Sequence, residues 1–514
     1  MANEHLFGAD RVCGVVAART AVEAWRQIRN ALRYTATIEL RFDWLATASE
    51  HRKLLVLLKN RAYRPQGNFI ATCRRQDAGG KFRGSVVEQL SLLRSAIAAG
   101  CRWVDLEIET VESFPGFALD LYTARAQRIL SFHDFRAMRP TAQLPSIVRR
   151  MENLCANRGF GAIKIAIQCS SLREGLQLLQ IAREWPNIIA IPMGEVCTPL
   201  RILALREGSA LSYAPVEDAT APGQIPLSAL SDLYRARHLT KKTRVYAVIG
   251  DPIAHSLSPT LHNAAFHARK IDAVYLPFRV TDLRDFLRAI PRLRIAGFSV
   301  TLPHKEKLLR LLDGCDPLAK AIGAANTVAV RANGKLFGYN TDSLGVLRAL
   351  KGKLELEGSR ALILGTGGAA RAVAFTLARE GARVFICSRT PAKAGHLARD
   401  VKGQAVERRE LRHRSFDLIV NATPVGMHPR ESESPLSAFE MNSAVAFDLI
   451  YRPERTKFLR LAANKGIRTV SGVEMFLAQG IAQWEIWTGQ RAPENAMRRA
   501  VLTALRNEKS ALSK

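Results

Sequence analysis

Lys164 interrupts an otherwise apolar run, Gly161-Ala162-Ile163-Lys164-Ile165-Ala166-Ile167, whose alternation is that of a strand. With a period of two, the isoleucines face one side and the lysine shares its face with Ala162 and Ala166, which leave room and little water. Burial disfavours the charged form of an amine, which is how a protein prepares a lysine to attack a carbonyl as a Schiff-base nucleophile. A lone lysine near a strand end otherwise simply snorkels to solvent, so the elements around it decide its role.

Seven other runs in the first 215 residues read as strands, each followed by a helical or loop stretch: Arg11–Ala17, Thr35–Arg41, Asn68–Arg74, Trp103–Glu109, Arg128–His133, Ile188–Met193 and Ser209–Ala214. Eight strands alternating with helices over this length predict a (β/α)₈ barrel with its chemistry at the C-terminal strand ends. Parity tests the idea. Thr37, Glu39 and Arg41 share a face, as do Thr72 with Arg74, Asp105 with Glu107, and Ser131 with His133, and each set alternates with mostly apolar neighbours. Barrel interiors are normally filled with branched aliphatics, so this many inward ionisable groups point to a site at one mouth.

These residues resemble the type I 3-dehydroquinate dehydratases. The matching motifs are Glu39-Leu40-Arg41-Phe42-Asp43, Thr72-Cys73-Arg74 with Gly79-Gly80, Ser131-Phe132-His133-Asp134-Phe135, Ile163-Lys164-Ile165-Ala166, Met193-Gly194, and Ser212-Tyr213-Ala214 with Ala221-Pro222-Gly223-Gln224. The resemblance implies that Lys164 forms an imine with the ketone of 3-dehydroquinate, and that His133 is general base and then acid for the departing hydroxyl. It also implies that Glu39 and Arg74 hold substrate hydroxyls with support from Arg41, while Arg201, Thr220 and Gln224 hold the carboxylate. Two departures stand out. The family commonly has a glutamate before the glycine pair, where this chain has Ala78, leaving Asp77 or Glu107 to orient the histidine. The loop Glu195-Val196-Cys197-Thr198-Pro199-Leu200-Arg201 keeps the arginine but loses the family's second glycine and the serine beside that arginine.

A second unit is expected after a short amphipathic helix, Pro226–Arg237, and a polar linker, His238–Thr243. It restarts with a strand, Val245–Gly250, followed by Ser256-Leu257-Ser258-Pro259, a serine-rich helix entry suited to a carboxylate or to simple N-capping. Ala361-Leu362-Ile363-Leu364-Gly365-Thr366-Gly367-Gly368-Ala369-Ala370-Arg371 then runs from strand through glycines into a helix, so Gly365, Gly367, Gly368 and Ala369 are placed to let a pyrophosphate approach. An NAD enzyme would place an acid about twenty residues further on. Ser388, Arg389, Thr390 and nearby Lys393 stand there instead, which suits a 2′-phosphate and NADP(H).

With Phe298–Lys305, Ala325-Asn326-Thr327, Gly338–Asp342, Asn421–Met427, Asp448–Tyr451 and Ser471–Gln479, these segments resemble shikimate dehydrogenase over about residues 245–490. The resemblance implies that Lys305 and Asp342 are the catalytic pair near the transferred hydride. It implies that Ser256, Ser258, Thr301, Asn326, Tyr451 and Gln479 hold the ring and its carboxylate, and that Thr423 and Gly472 complete the cofactor contacts. Glu474-Met475 replaces the family's usual Gly-Met, so packing against the nicotinamide is expected to differ.

The fold class expected is α/β: a barrel over residues 1–238, then a two-lobed dehydrogenase over 244–514. Its substrate lobe spans about 244–346 with helices at about 472–510, and a Rossmann-type NADP-binding lobe spans about 347–471. The chain of 514 residues is 47% hydrophobic, enough to bury two large cores. No stretch is long and apolar enough to span a membrane, and the start Met1-Ala2-Asn3-Glu4-His5 has no signal-like character. The eight cysteines are scattered with no Cys-x-x-Cys, which reads as reduced thiols in the cytoplasm and gives no metal site.

The net charge of +29 raises nucleic-acid binding as a rival function. The basic residues are spread over both halves, however, and the densest cluster, Arg408, Arg409, Arg412 and Arg414, is interrupted by Glu410. A field attracting anionic substrates and NADPH accounts for that spread. The partners implied are the small molecules 3-dehydroquinate, 3-dehydroshikimate and shikimate. The remaining rival is a shikimate or quinate dehydrogenase whose dehydratase half, lacking the glutamate at Ala78, is impaired and acts as scaffold.

Overall fold

The computed structural model describes residues 6–7, 10–60, 66–113, 126–135, 143–185, 187–217 and 223–512. Two compact units emerge, one running to Thr243 and including Arg284–Arg292, the other made of Arg244–Leu283 and the chain from Leu293.

Among the described residues, the first unit is built on eight parallel strands: β1 (Val12–Val16), β2 (Thr37–Arg41), β3 (Asn68–Thr72), β4 (Trp103–Glu107), β5 (Gln127–Asp134), β6 (Ala162–Gln168), β7 (Ile188–Met193) and β8 (Ser212–Pro215). Their spatial order is β7-β6-β5-β4-β3-β2-β1-β8, so β1 pairs with both β2 and β8. The remaining gap, between β7 and β8, is bridged by Ala210 N donating to Ile188 O at 2.8 Å. Most of the strands are rich in aliphatic and β-branched residues, and several of the intervening helices are launched by their own caps. Thr20, Thr47 and Ser171 each accept a first-turn N–H, and Ser85 with Glu88 makes a reciprocal capping box. Inside, Cys13, Val15, Ile70, Trp103, Ile129, Ala162, Ala166 and Ile189 pack together. The two alanines flanking Lys164 therefore lie on the interior face, as parity requires.

The expected helix over Pro226–Arg237 is shorter than the pattern suggested. A wide helical turn spans Ala229–Leu233, then Arg235 takes a left-handed backbone with φ of 47°, and a 3₁₀ turn covers Ala236–His238. A non-glycine residue at positive φ ends a helix, whatever apolar spacing continues beyond it.

The second unit contains two six-stranded sheets. The first comprises β9 (Arg244–Gly250), β10 (Ala273–Arg279), β11 (Ile295–Val300), β12 (Gly314–Cys315), β13 (Thr327–Val330) and β14 (Leu336–Tyr339), in the order β10-β9-β11-β13-β14-β12. It is mixed, with β13 antiparallel to both neighbours. The second is wholly parallel: β15 (Arg360–Leu364), β16 (Arg383–Cys387), β17 (Gln404–Ala405), β18 (Phe416–Asn421), β19 (Ser443–Asp448) and β20 (Arg468–Val470), in the order β17-β16-β15-β18-β19-β20. Its centre lies at β15 and β18, where strand order reverses and a ligand crevice is expected at the carboxyl ends. Apolar cores lie on both faces of this sheet, one around Ile363, Val373 and Phe447, the other around Leu362, Ile419 and Phe458. No helix among the described residues is long and apolar enough to cross a membrane.

Candidate functional sites

In the barrel, β2 to β6 and Arg74 following β3 aim polar side chains at the same place. Lys164 from β6 is buried, and its ammonium donates to Asp105 Oδ2 of β4 at 2.9 Å and to Glu39 Oε1 of β2 at 3.1 Å. It also sits 4.1 Å from the ring centre of Tyr213 on β8. Arg74, just past β3, donates to Asp105 Oδ1 at 2.9 Å, to His133 Nδ1 at 2.8 Å and more weakly to Ser131 Oγ at 3.3 Å. Ser131 closes the ring by donating to Asp105 Oδ1 at 2.6 Å.

Electrostatics follow from this packing. Burial alone would raise the Asp105 pKa, but the charges of Arg74 and Lys164 outweigh it and hold that carboxyl far below its usual range. His133 is driven well below the ordinary histidine value, first by burial and then by the charges of Arg74 and Lys164. Because Arg74 can only donate, Nδ1 must present its lone pair, so the ring is neutral with its proton on Nε2. The orienting partner of the histidine is thus Arg74. Neither acid considered from the sequence fills that place: Glu107 accepts from Arg75 N at 3.0 Å and Gln89 Nε2 at 2.8 Å, and Asp77 pairs with Arg75 at 3.4 Å.

Other expected site residues stand further out. Arg41 forms a bidentate pair with Asp43, at 2.9 and 2.8 Å, and makes no bond to the lysine cluster. Arg201 lies in the helix Thr198–Leu203 after β7; it is buried, its Nη1 has no partner among the described residues, and burial lowers its pKa to about 10. A buried guanidinium with a donor to spare is the chemistry of an anion site. Gln224 is half-buried next to Gly223, whose carbonyl accepts from Thr198 Oγ1 at 3.3 Å, so the loops after β7 and β8 touch. Thr220 lies outside the described residues. Asp105, which parity placed inward without a role, is the hub of the cluster. Its signal in the sequence was an aspartate on the interior face of a barrel strand, where no charge is tolerated unpaired.

In the second unit, Lys305 Nζ donates to Asp342 Oδ2 at 2.5 Å, and Asn326 Nδ2 donates to Asp342 Oδ1 at 2.8 Å. The lysine opens the helix Lys305–Leu309 and the aspartate opens the helix Asp342–Leu350. Ser258 is buried and bonds Tyr275, whose hydroxyl also meets Ser299 Oγ. Ser256 is half-buried beside it, its Oγ accepting from Ser258 N at 3.3 Å. Thr301 follows β11 with its N–H donating to Ile249 O at 2.9 Å. Tyr451 stacks on Phe476 at 4.3 Å, and Gln479 lies one turn further along that helix, Gly472–Thr488.

The glycine segment lies against this pair. Gly365 follows β15 with φ of 111°, a conformation L-residues avoid, and Gly367 caps the helix Gly368–Arg379 with open space where a side chain would stand. A Cβ on Gly368 would fall 3.2 Å from Lys305 Cβ, so the N-terminus of that helix adjoins the lysine. Ala369 follows in its first turn. After β16, Ser388 Oγ accepts from Thr390 N at 3.2 Å, while Arg389 and Lys393 are exposed. Thr423 is bonded to Asn421 Oδ1 at 2.7 Å at the end of β18, and the Cα of Gly472 packs so closely that a Cβ would meet Leu449 O at 2.4 Å. Glycines at a helix N-terminus with cations at the next strand end fit a dinucleotide carrying a 2′-phosphate. At the Glu474-Met475 departure, Glu474 pairs with Arg498 at 2.6 and 2.7 Å and Met475 packs over Gly345. No group of three metal-ligating side chains is assembled among the described residues.

Comparison with known proteins gives matches over both units. The family model for type I 3-dehydroquinase covers residues 12–241. Those for the shikimate dehydrogenase substrate-binding domain, shikimate/quinate 5-dehydrogenase and the shikimate 5′-dehydrogenase C-terminal domain cover 248–328, 348–438 and 472–502. A chloroplastic bifunctional 3-dehydroquinate dehydratase/shikimate dehydrogenase of Arabidopsis thaliana is 32% identical over 479 residues, 89% of this chain and 78% of that protein. The NADP(+) shikimate dehydrogenase of Methanopyrus kandleri is 45% identical over 285 residues, 52% of this chain and 97% of its own. A solved shikimate 5-dehydrogenase of Thermus thermophilus, in complex with NADP(H) and shikimate, is 41% identical, covers 51% of this chain and 99% of its own, and has a TM-score of 0.47.

Proposed function

The chain belongs to the family of bifunctional 3-dehydroquinate dehydratases/shikimate dehydrogenases, and we propose that its two units catalyse consecutive steps of the shikimate pathway. Residues 1–238 are assigned to dehydration of 3-dehydroquinate and residues 244–514 to reduction of the product, 3-dehydroshikimate, to shikimate. Within the second part, about 244–346 and 472–510 form the substrate lobe and about 347–471 the NADP-binding lobe.

The observation that carries the first assignment is the buried lysine held between Glu39 and Asp105, beside a neutral histidine. The ammonium must shed a proton before the amine is nucleophilic. The amine adds to the substrate ketone, and loss of water gives an iminium that acidifies the adjacent C–H. His133 removes that proton; the resulting enamine expels the neighbouring hydroxyl, which His133 protonates so that it leaves as water. A second water hydrolyses the product imine and returns Lys164. The lone pair that His133 needs is the one Arg74 occupies, so substrate hydroxyls that draw Arg74 to themselves release the base. Arg201, Gln224 and Thr220 are assigned to the carboxylate, Arg41 to support of the hydroxyl contacts.

The second assignment is carried by the Lys305–Asp342 pair, with Gly368 against Lys305. NADPH supplies the hydride when bound. Lys305 gives its proton to the carbonyl oxygen and Asp342 holds the lysine and the alcohol that forms. Ser256, Ser258, Thr301, Asn326, Tyr451 and Gln479 are assigned to the ring. Gly365, Gly367, Gly368, Ala369, Thr423 and Gly472 are assigned to the cofactor's backbone, and Ser388, Arg389, Thr390 and Lys393 to its 2′-phosphate. The free cysteines support a reducing compartment, here taken as the cytoplasm.

A coupled assay tests the whole reading. The chain supplied with 3-dehydroquinate and NADPH is expected to form shikimate. Lys305→Ala should accumulate 3-dehydroshikimate, while Lys164→Ala should reduce only added 3-dehydroshikimate. The two variants mixed should restore flux through free intermediate. Loss of both activities in each folded variant would replace the two-site reading with a composite site. A native chain that reduces 3-dehydroshikimate but never dehydrates 3-dehydroquinate would favour the scaffold reading suggested by Ala78.

A further inference from the structure

In the second unit a polar chain runs from the carboxylate of Asp342 to the amide of Gln479, and each bond along it has a single polarity. Asn326 is held by two groups that cannot reverse. Its Oδ1 accepts the backbone N–H of Thr341 at 2.8 Å, and its Nδ2 donates to the Asp342 carboxylate at 2.8 Å. Thr327 Oγ1 donates to Asn326 Oδ1 at 2.8 Å, which leaves it to accept from Gln483 Nε2 at 3.1 Å. Gln483 Oε1 is thereby turned to His262 Nε2, 3.1 Å away, so the imidazole carries its proton there. His262 is fully buried and stacked at 4.4 Å on Tyr275, and burial lowers its pKa to about 3, so it stays neutral. The second N–H of Gln483 goes to Gln479 Oε1 at 2.7 Å. Gln479 Nε2 gives one N–H to Phe476 O at 3.0 Å and, among the described residues, gives the other to none.

We propose that Gln483 is a positioning residue for the dehydrogenase substrate: it holds Gln479 with its carbonyl oxygen inward, so that Gln479 presents an N–H to a substrate oxygen. A flipped Gln479 would set donor against donor in a part-buried place, at the cost of a hydrogen bond. The site therefore selects an acceptor oxygen at that ring position. The inference rests on Gln479 being a substrate contact, and its test separates the two ideas.

Steady-state kinetics on the full chain with shikimate and NADP+ provide that test. Gln483→Glu keeps the shape and the acceptor facing His262 but places an oxygen against Gln479 Oε1. Gln483→Leu removes all three bonds, to Thr327, Gln479 and His262, and Thr327→Val releases Gln483 from its anchor if the leucine variant fails to fold. All three are expected to raise KM for shikimate about tenfold while KM for NADP+ stays unchanged and kcat falls less than KM rises. Gln479→Ala should raise the same KM, and in that background the Gln483 substitutions should add nothing, because they act through Gln479. Additive effects in the double variants, or an unchanged KM in Gln483→Glu while Gln479→Ala raises it, would overturn the positioning role alone. A Gln479→Ala variant with native KM removes the underlying substrate assignment and the inference with it.

Discussion

Replacing Asp105 by asparagine keeps the shape of the side chain and removes the charge that two buried cations share. Asp105 is 1% exposed and lies 2.9 Å from both Lys164 Nζ and Arg74 Nη2. At an effective dielectric of about 20, each contact carries about 6 kcal/mol of gross attraction, most of it cancelled by the desolvation of the charges. What the substitution exposes is the uncompensated remainder. Lys164 is left with Glu39 as its carboxylate partner, Arg74 loses its direct ion pair, and the asparagine amide puts a donor toward a donor. Breaking a buried pair in this way costs about 3–5 kcal/mol, a fall in melting temperature on the order of 10 °C for a unit of this size. Calorimetry of native chain and variant at pH 7, with limited proteolysis assigning the shifted transition to the first unit, measures it. The pH dependence gives a second handle. Because the folded pKa of Asp105 lies below its unfolded value near 3.9, its contribution is complete above about pH 5 and is lost as pH falls toward the folded value. The gap between the two proteins should therefore narrow on acidification. Equal melting at pH 7, or a gap that widens in acid, would refute the view that Asp105 compensates Lys164 and Arg74.

Borohydride added with 3-dehydroquinate should label Lys164 irreversibly, and mass analysis of Lys164→Ala should find no label. His133→Ala should still be labelled while turnover falls by about 10²–10⁴-fold, and in the native chain the acid limb of kcat/KM should lie below the ordinary histidine value because burial, Arg74 and Lys164 keep the base neutral; an acid limb above about 6.5 would count against it. For the cofactor, Arg389→Ala should raise KM for NADPH at least tenfold, about the loss of one charge-assisted hydrogen bond, and leave KM for NADH unchanged; equal use of both cofactors by the native chain would contradict the 2′-phosphate assignment.

Strand parity and short motifs specify much of this protein locally. The alternation around Lys164, the inward sets Glu39 with Arg41 and Asp105 with Glu107, and the strand-glycine-helix run at Gly365 are local patterns, set by periods of two and 3.6 residues and by the conformational freedom of glycine. They were enough for the barrel and for a Rossmann-type lobe, whereas most residues of both candidate sites came from the resemblance of longer motifs to the two enzyme families. Helix ends were less legible, as Arg235 shows, because a left-handed residue leaves no trace in apolar spacing. What tertiary structure alone decided is which charge meets which. Lys164 could have paired with any inward acid. Strand register and barrel closure bring Asp105 to both it and Arg74, and leave Glu107 bonded to Arg75 N and Gln89 Nε2 instead. The same holds where Gly368 adjoins Lys305 and where Gln483 reaches Gln479, His262 and Thr327 at once. Such contacts depend on separations of a few ångströms between residues far apart in sequence, and a hydrogen bond or ion pair forms or fails within that margin.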